Sequence, residues 1–202
     1  MIPYFPQPHL TIGSITIYAY GVLTAAGLLA GYYLATVLAR KQKLDPALTG
    51  RMYIAGILGG LIGGHLLYLW RAGEASGLQF FTFWRGQAAI GLAIGALSVA
   101  FWYRKELRQL DVLALAFPVA WGLARAGCFL AHDHLGPISN SWLAVKFSAG
   151  SRLDFGLVEC LAAILIAPVL YWLASKRPRP GILFAILLSY AAATRSILST
   201  FK

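Results

Sequence analysis

The sequence predicts an all-α, polytopic integral membrane protein with about six transmembrane helices, and three observations carry that expectation. Of 202 residues, 59% are hydrophobic and 12% charged, and the mean hydropathy is +0.69, an apolar excess too large for a soluble domain of this size. Apolar runs long enough to cross about 30 Å of hydrocarbon recur along the chain. Basic residues gather between those runs and alternate in density. Arg40, Lys41, Lys43 and Arg51, then Arg104, Lys105 and Arg108, then Lys176, Arg177 and Arg179 make ten, whereas the intervening loops carry five: Arg71, Arg85, Lys146, Arg152 and Lys202. The positive-inside pattern puts the richer set in the cytoplasm and both termini on the outer face.

Taken in order, "MIPYFPQPHL" has three prolines and no basic n-region, so it reads as an interfacial segment outside the bilayer. Spans are expected at Ile15–Ala39, Met52–Trp70, Gln87–Trp102, Val112–Ala131, Phe155–Ala174 and Gly181–Ser199. The third is short and carries Gly86, Gly91 and Gly95. Gly56, Gly60 and Gly64 recur four apart, as do Gly91 and Gly95, an interval that lets helices approach closely. "GGLIGG" lacks the Walker lysine and a preceding strand, so it is no phosphate cradle, and no cofactor is expected. The stretch at about 132–154, rich in Gly, Ser, Asn and Pro, is expected to be an outer-face loop of a single transmembrane domain covering 1–202.

The formal net charge of +10 does not indicate nucleic acid, because the basic residues are confined mainly to loops between spans. On the inner face they favour anionic lipids instead. Cys128 and Cys160 both fall within spans and imply no disulfide framework.

Ionisable groups inside spans are the informative residues, since a charge at a helix centre costs about 2.5 to 3.5 kcal/mol on the milder insertion scale. Arg125 in span four, Arg195 in span six and Glu159 in span five are the candidates, with His65 in span two a weaker one. Two guanidiniums at similar depth need anionic partners, and Glu159 can neutralise one of them; a lipid phosphate would satisfy both. Against this stands the reading that Arg125 snorkels to the interface and Arg195 anchors a helix end. If span four is helical to its end, Arg125, Cys128 and His132 share a face. His132, Asp133 and His134, with Cys128 nearby, match zinc ligand types, but side chains two apart on a helix diverge, so no metal is expected. A solvated helix end before Gly136 and Pro137, or a histidine serving as proton acceptor, are the two readings left open.

These motifs resemble the prolipoprotein diacylglyceryl transferase family over nearly the whole chain. "YAYGVLTAAGLLAGYYLA" looks like the family's first-helix segment, with Tyr20 and Gly21 in place, and "GGLIGGHLLYLW" like its second-helix pattern. "ARAGCFLAHDHLG" lies on the Gly-Arg-x-Gly-Asn-Phe-x-Asn-x-Glu-x-x-Gly signature, where Arg125, Gly127, Phe129 and Gly136 match and Asp133 holds the acidic position. Glu159 and Arg195 match the glutamate of the fifth region and the arginine of a late Gly-Arg-Phe segment. "RGQAAIGLAIGA" lies on the His-Gly-Gly signature, with Ile90 in place of the histidine and Leu92 in place of the second glycine; Cys128 and Ala131 replace the two asparagines, and Ser199 a late acidic residue.

The resemblance implies a multi-pass protein of the bacterial plasma (inner) membrane that moves a diacylglyceryl group from phosphatidylglycerol, or another anionic phospholipid, to the lipobox cysteine of a prolipoprotein signal peptide. Glycerol 1-phosphate is released. Arg125 and Arg195 are then the phosphate ligands, which two guanidiniums suit as the leaving group gathers charge. His132, His134, Asp133 and Cys128 are the candidate catalytic residues in the absence of the signature histidine, with Cys128 as a nucleophile or an apolar filler. Tyr20, Gly127, Gly136 and Glu159 support them. The alternative is a non-catalytic phospholipid-binding membrane protein on the same fold. A transporter is disfavoured, because no acidic intramembrane relay or inverted repeat is visible.

Overall fold

A computed structural model describes residues 1–73, 77–82 and 86–200. Arg85 and Lys202, which entered the charge pattern, lie outside the described residues. The chain folds as an all-α polytopic membrane protein with helices α1 (Ala19–Lys41), α2 (Pro46–Ala72), α3 (Ala89–Trp102), α4 (Leu107–Ala131), α5 (Phe155–Ser175) and α6 (Ile182–Ser199). All but α3 are long and apolar enough to cross a bilayer. With 14 residues, α3 rises about 21 Å, short of the hydrocarbon thickness.

Local chemistry sets the ends. Asp45 caps α2 by accepting from the Ala47 amide at 2.8 Å, with Pro46 at the first helical position, so α2 starts before the expected Met52. Gly73, at φ +69, closes it in the left-handed conformation. Strands account for the other departures. Ile15–Tyr18, expected as the start of span one, is strand β3, paired antiparallel with β2 (His9–Ile12). Its β-branched and aromatic residues follow a turn at Gly13, φ +61, which favours an extended hairpin over helix. The stretch 132–154 holds β4 (Leu135–Ile138), β5 (Ala144–Phe147) and β6 (Gly150–Asp154); with β1 (Ile2–Pro3) they form a sheet in the order β1-β5-β6-β4.

The chain packs as two compact units, one of 35–113 and the other of 1–34 with the residues from 114 onward. Within the first, α2 and α3 touch backbone to backbone: a methyl on Gly95 would overlap the Gly59 carbonyl, and one on Gly91 the Gly63 carbonyl. Buried His65 donates from Nε2 to the Gln79 carbonyl at 3.0 Å. Within the second, α1 lies against α4, where a Cβ at Gly27 would stand 2.7 Å from the Ala120 carbonyl. The Tyr190 hydroxyl donates to the Ala162 carbonyl at 2.9 Å and ties α6 to α5. Phe155 donates its amide to the His134 carbonyl at 2.8 Å, fixing the start of α5 beside the end of α4.

Candidate active site

The site forms where α4 ends. Ala131 is its last helical residue, and His132 takes φ +51, a left-handed conformation costing a non-glycine residue about 1–3 kcal/mol. The surroundings hold it there. Its Nδ1 lies 2.9 Å from Asp154 Oδ2, and the rings of Tyr4, Phe5, Phe129 and Phe147 surround it at centroid distances of 4.6 to 5.7 Å. Asp154 is fully buried and caps α5 by accepting from the Gly156 amide at 2.8 Å. Burial pushes its carboxyl above the ordinary value, partly opposed by the bonds from His132 and from the Gly156 and Leu157 amides. His132 Nε2 is buried with no hydrogen-bond partner among the described residues.

This turn breaks the expected face. Arg125 and Cys128 do meet, with Arg125 Nη1 donating to the Cys128 sulfur at 3.6 Å, but His132 swings to Asp154. His134 goes the other way: its Nδ1 is 2.6 Å from Asp133 Oδ1, and both side chains are about two-fifths exposed. One donor atom each from Cys128, Asp133 and His134 lies within 4.8 Å of the others. The two histidines therefore serve separate structures.

Glu159, buried in α5, lies between the arginines. Its Oε2 stands 2.6 Å from Arg125 Nε, without hydrogen-bond alignment, and its Oε1 accepts from Arg195 Nη1 at 3.1 Å. The expectation that Glu159 serves one arginine is corrected in geometry, because a carboxylate has two oxygens and each takes one guanidinium. In charge it stands for the three side chains in contact: two guanidiniums share one carboxylate. Arg125 is buried and its guanidinium sits 4.2 Å from the Trp121 ring centroid, whereas the Arg195 side chain is 43% exposed.

The structure thus brings Arg125, Cys128, Asp133, His134, Glu159 and Arg195 into one region of one unit. Tyr20, in the first turn of α1, backs onto Gly127, where a Cβ would stand 3.1 Å from the Tyr20 carbonyl oxygen. Its phenol is within electrostatic range of Cys128, Asp133 and Arg125. At Gly136 a Cβ would come 2.5 Å from the Phe155 ring, so a side chain there would displace the start of α5. His65 belongs to the other unit. Sequence reasoning missed Asp154, Trp121 and the rings around His132. Asp154 was legible as a cap before the apolar run "FGLVECLAAIL", but its pairing with His132 spans 22 residues and depends on the sheet.

A family model described as prolipoprotein diacylglyceryl transferase matches residues 8–202. The chain is 28% identical over 193 residues to the phosphatidylglycerol–prolipoprotein diacylglyceryl transferase of Clostridium tetani, covering 85% of this chain and 75% of that one. It is 27% identical over 195 residues to the transferase of that name from Pseudoalteromonas atlantica, covering 88% and 70%. With the Tolumonas auensis transferase it shares 27% identity over 213 residues, covering 96% and 81%.

Proposed function

Because the chain belongs to the prolipoprotein diacylglyceryl transferase family, we propose that it transfers the diacylglyceryl group of phosphatidylglycerol to the lipobox cysteine thiol of a prolipoprotein at the outer face of a bacterial inner membrane. The observation that carries this reading is the convergence of Arg125 and Arg195 on Glu159, which puts two guanidiniums on one carboxylate among apolar helices. An anionic phosphate would complete the pairing of both. Both guanidiniums hold the phosphate, and their attraction strengthens as the carbon–oxygen bond to the diacylglyceryl group breaks. Glu159 positions the pair and keeps Arg125 from resting as an unpaired buried charge.

Ile90, 61% exposed on α3, stands where the family signature carries a histidine and has no proton to exchange. Deprotonation of the acceptor thiol falls to the Cys128, Asp133 and His134 cluster, which Arg125 joins to the phosphate site through Cys128. Cys128 takes no covalent part, since a thioether between it and the glycerol carbon would not release that carbon to a second thiol.

The test is transfer from labelled phosphatidylglycerol to a lipobox peptide by the reconstituted protein. A thioether-linked product is expected, and it is expected to vanish in the Arg125→Ala, Arg195→Ala double variant. Unchanged turnover in that variant would overturn the phosphate role. Tightly retained phosphatidylglycerol without product would favour the non-catalytic binding protein.

A further inference from the structure

Resting on the transferase reading, we propose that Cys128, Asp133 and His134 are the three protein ligands of a zinc-type divalent cation whose open fourth position takes the acceptor thiol. The geometry is the starting point. Sulfur, carboxylate oxygen and imidazole nitrogen lie within 4.8 Å of one another, and an ion about 2.0–2.3 Å from each is reached as the Asp133–His134 hydrogen-bonded pair parts and the more distant donors close in. Thiolate, carboxylate and imidazole are the donor types zinc accepts, and three protein ligands with one open position is the pattern of catalytic rather than structural zinc. Asp133 and His134, joined at 2.6 Å, exchange that hydrogen bond for the ion.

Three further features fit. The cluster is open on one side and closed on the other, with half-exposed Asp133 and His134 at the mouth and buried Cys128 behind them. That arrangement gives an ion and a peptide thiol a common approach. Charge also balances: a divalent ion with one thiolate and one carboxylate is neutral, and Glu159 offsets the Arg125 guanidinium beside the sulfur. Finally, His132 does not compete. Its Nδ1 is committed to Asp154 and its ring to an aromatic enclosure, so the ligand histidine is His134 alone.

The chemistry follows from what such an ion does to sulfur. A thiol that binds a divalent zinc-type cation loses its proton outright at neutral pH, and the proton passes to solvent at the exposed mouth. A sulfur electron pair attacks the diacylglyceryl carbon that bears the phosphate oxygen. The carbon–oxygen bond breaks and its electrons leave with glycerol phosphate, whose added negative charge meets Arg125 and Arg195. The product sulfur is a neutral thioether, a poorer ligand than thiolate, and departs. No oxidant or reductant enters. The ion thus supplies the thiol deprotonation that Ile90 cannot.

The test uses the full chain in detergent, stripped with a chelator and titrated with cobalt(II). One cobalt per chain is expected, with thiolate-to-cobalt charge-transfer absorption and the d–d bands of four-coordinate cobalt, both bleached by zinc. Cys128→Ser should abolish the charge-transfer band, His134→Ala and Asp133→Asn should weaken binding at least about tenfold, and Cys160→Ser should leave it intact. In the phosphatidylglycerol and lipobox-peptide assay, chelation of the wild-type protein should stop transfer and zinc restore it. A missing band, or one surviving in Cys128→Ser, overturns the site, whether or not transfer occurs. A band together with transfer indifferent to the chelator overturns the ion's role in activating the thiol. A band with no transfer in any metal state overturns the transferase reading and this role with it, and leaves a metal-binding site.

Discussion

His132 and His134 are two residues apart, and each is hydrogen-bonded to an aspartate through Nδ1, yet they occupy opposite environments. The first is buried among four aromatic rings and tied to the cap of α5; the second is half-exposed beside Cys128. The two part at the left-handed turn of His132, φ +51, where α4 has ended: the His132 ring packs against Tyr4, Phe5, Phe129 and Phe147, and the next two side chains are partly exposed. Chemically identical pairs thereby divide into a buried clasp walled by aromatic rings and a polar, partly exposed cluster beside Cys128, which the proposed function assigns to the acceptor thiol. Spacing in the sequence does not assign these roles; the backbone conformation does.

The sharpest break in this division comes from the arginine that borders the cluster. Arg125→Ala should lower transfer about 10³-fold, because on the proposed mechanism it removes a donor to the developing phosphate charge and it leaves Glu159 half-paired. Arg125→Lys should recover little of it, since an ammonium cannot reach both Glu159 and the phosphate as a planar fork does. Labelled-lipid turnover reads both. His134→Ala should follow, with turnover down about 10²-fold and an unchanged melting midpoint. His132→Phe should show the reverse pattern: a destabilisation of about 2 kcal/mol in thermal unfolding, from losing the bond to a buried carboxylate, with turnover per folded molecule retained. Equal loss of turnover in the two histidine variants would erase the distinction between clasp and cluster.

Much of this molecule was legible from composition and periodicity. Five of the six helices were read to within about five residues at each end, because hydrocarbon thickness imposes long apolar runs that caps such as Asp154 and Gly181 then punctuate. The arginines and Glu159 were legible for the same reason, as charges in the wrong solvent. What escaped was everything that depends on the sheet. Ile15–Tyr18, in a separate two-stranded sheet, is as apolar as a helix start, and its β-branched residues after the Gly13 turn outweigh that apolar run once it pairs with His9–Ile12. Apart from Phe129 in its own helix, the partners of His132 come from the segment just after β1 (Tyr4 and Phe5), from β5 (Phe147) and from the end of β6 (Asp154), which the sheet order β1-β5-β6-β4 brings together from distant parts of the chain. Neither a helical face nor a local motif encodes that meeting.

The smallest effect expected probes the clasp through its carboxylate. Burial raises the Asp154 carboxyl above its ordinary value of 3.8, so the folded protein holds that proton to higher pH than the unfolded chain does. The stability this contributes is fully present below 3.8 and is lost as pH rises through the folded value. Asp154→Asn keeps the shape and the acceptor oxygen for the Gly156 amide but does not titrate. The difference in melting temperature, wild type minus variant, should therefore fall as pH rises above the ordinary carboxyl value of 3.8, measured by thermal unfolding in detergent. In the His132→Phe background the fall should extend to higher pH, because a bond that lowers the carboxyl is gone while its burial remains. A difference that rises with pH would mean that hydrogen bonds, not burial, dominate Asp154.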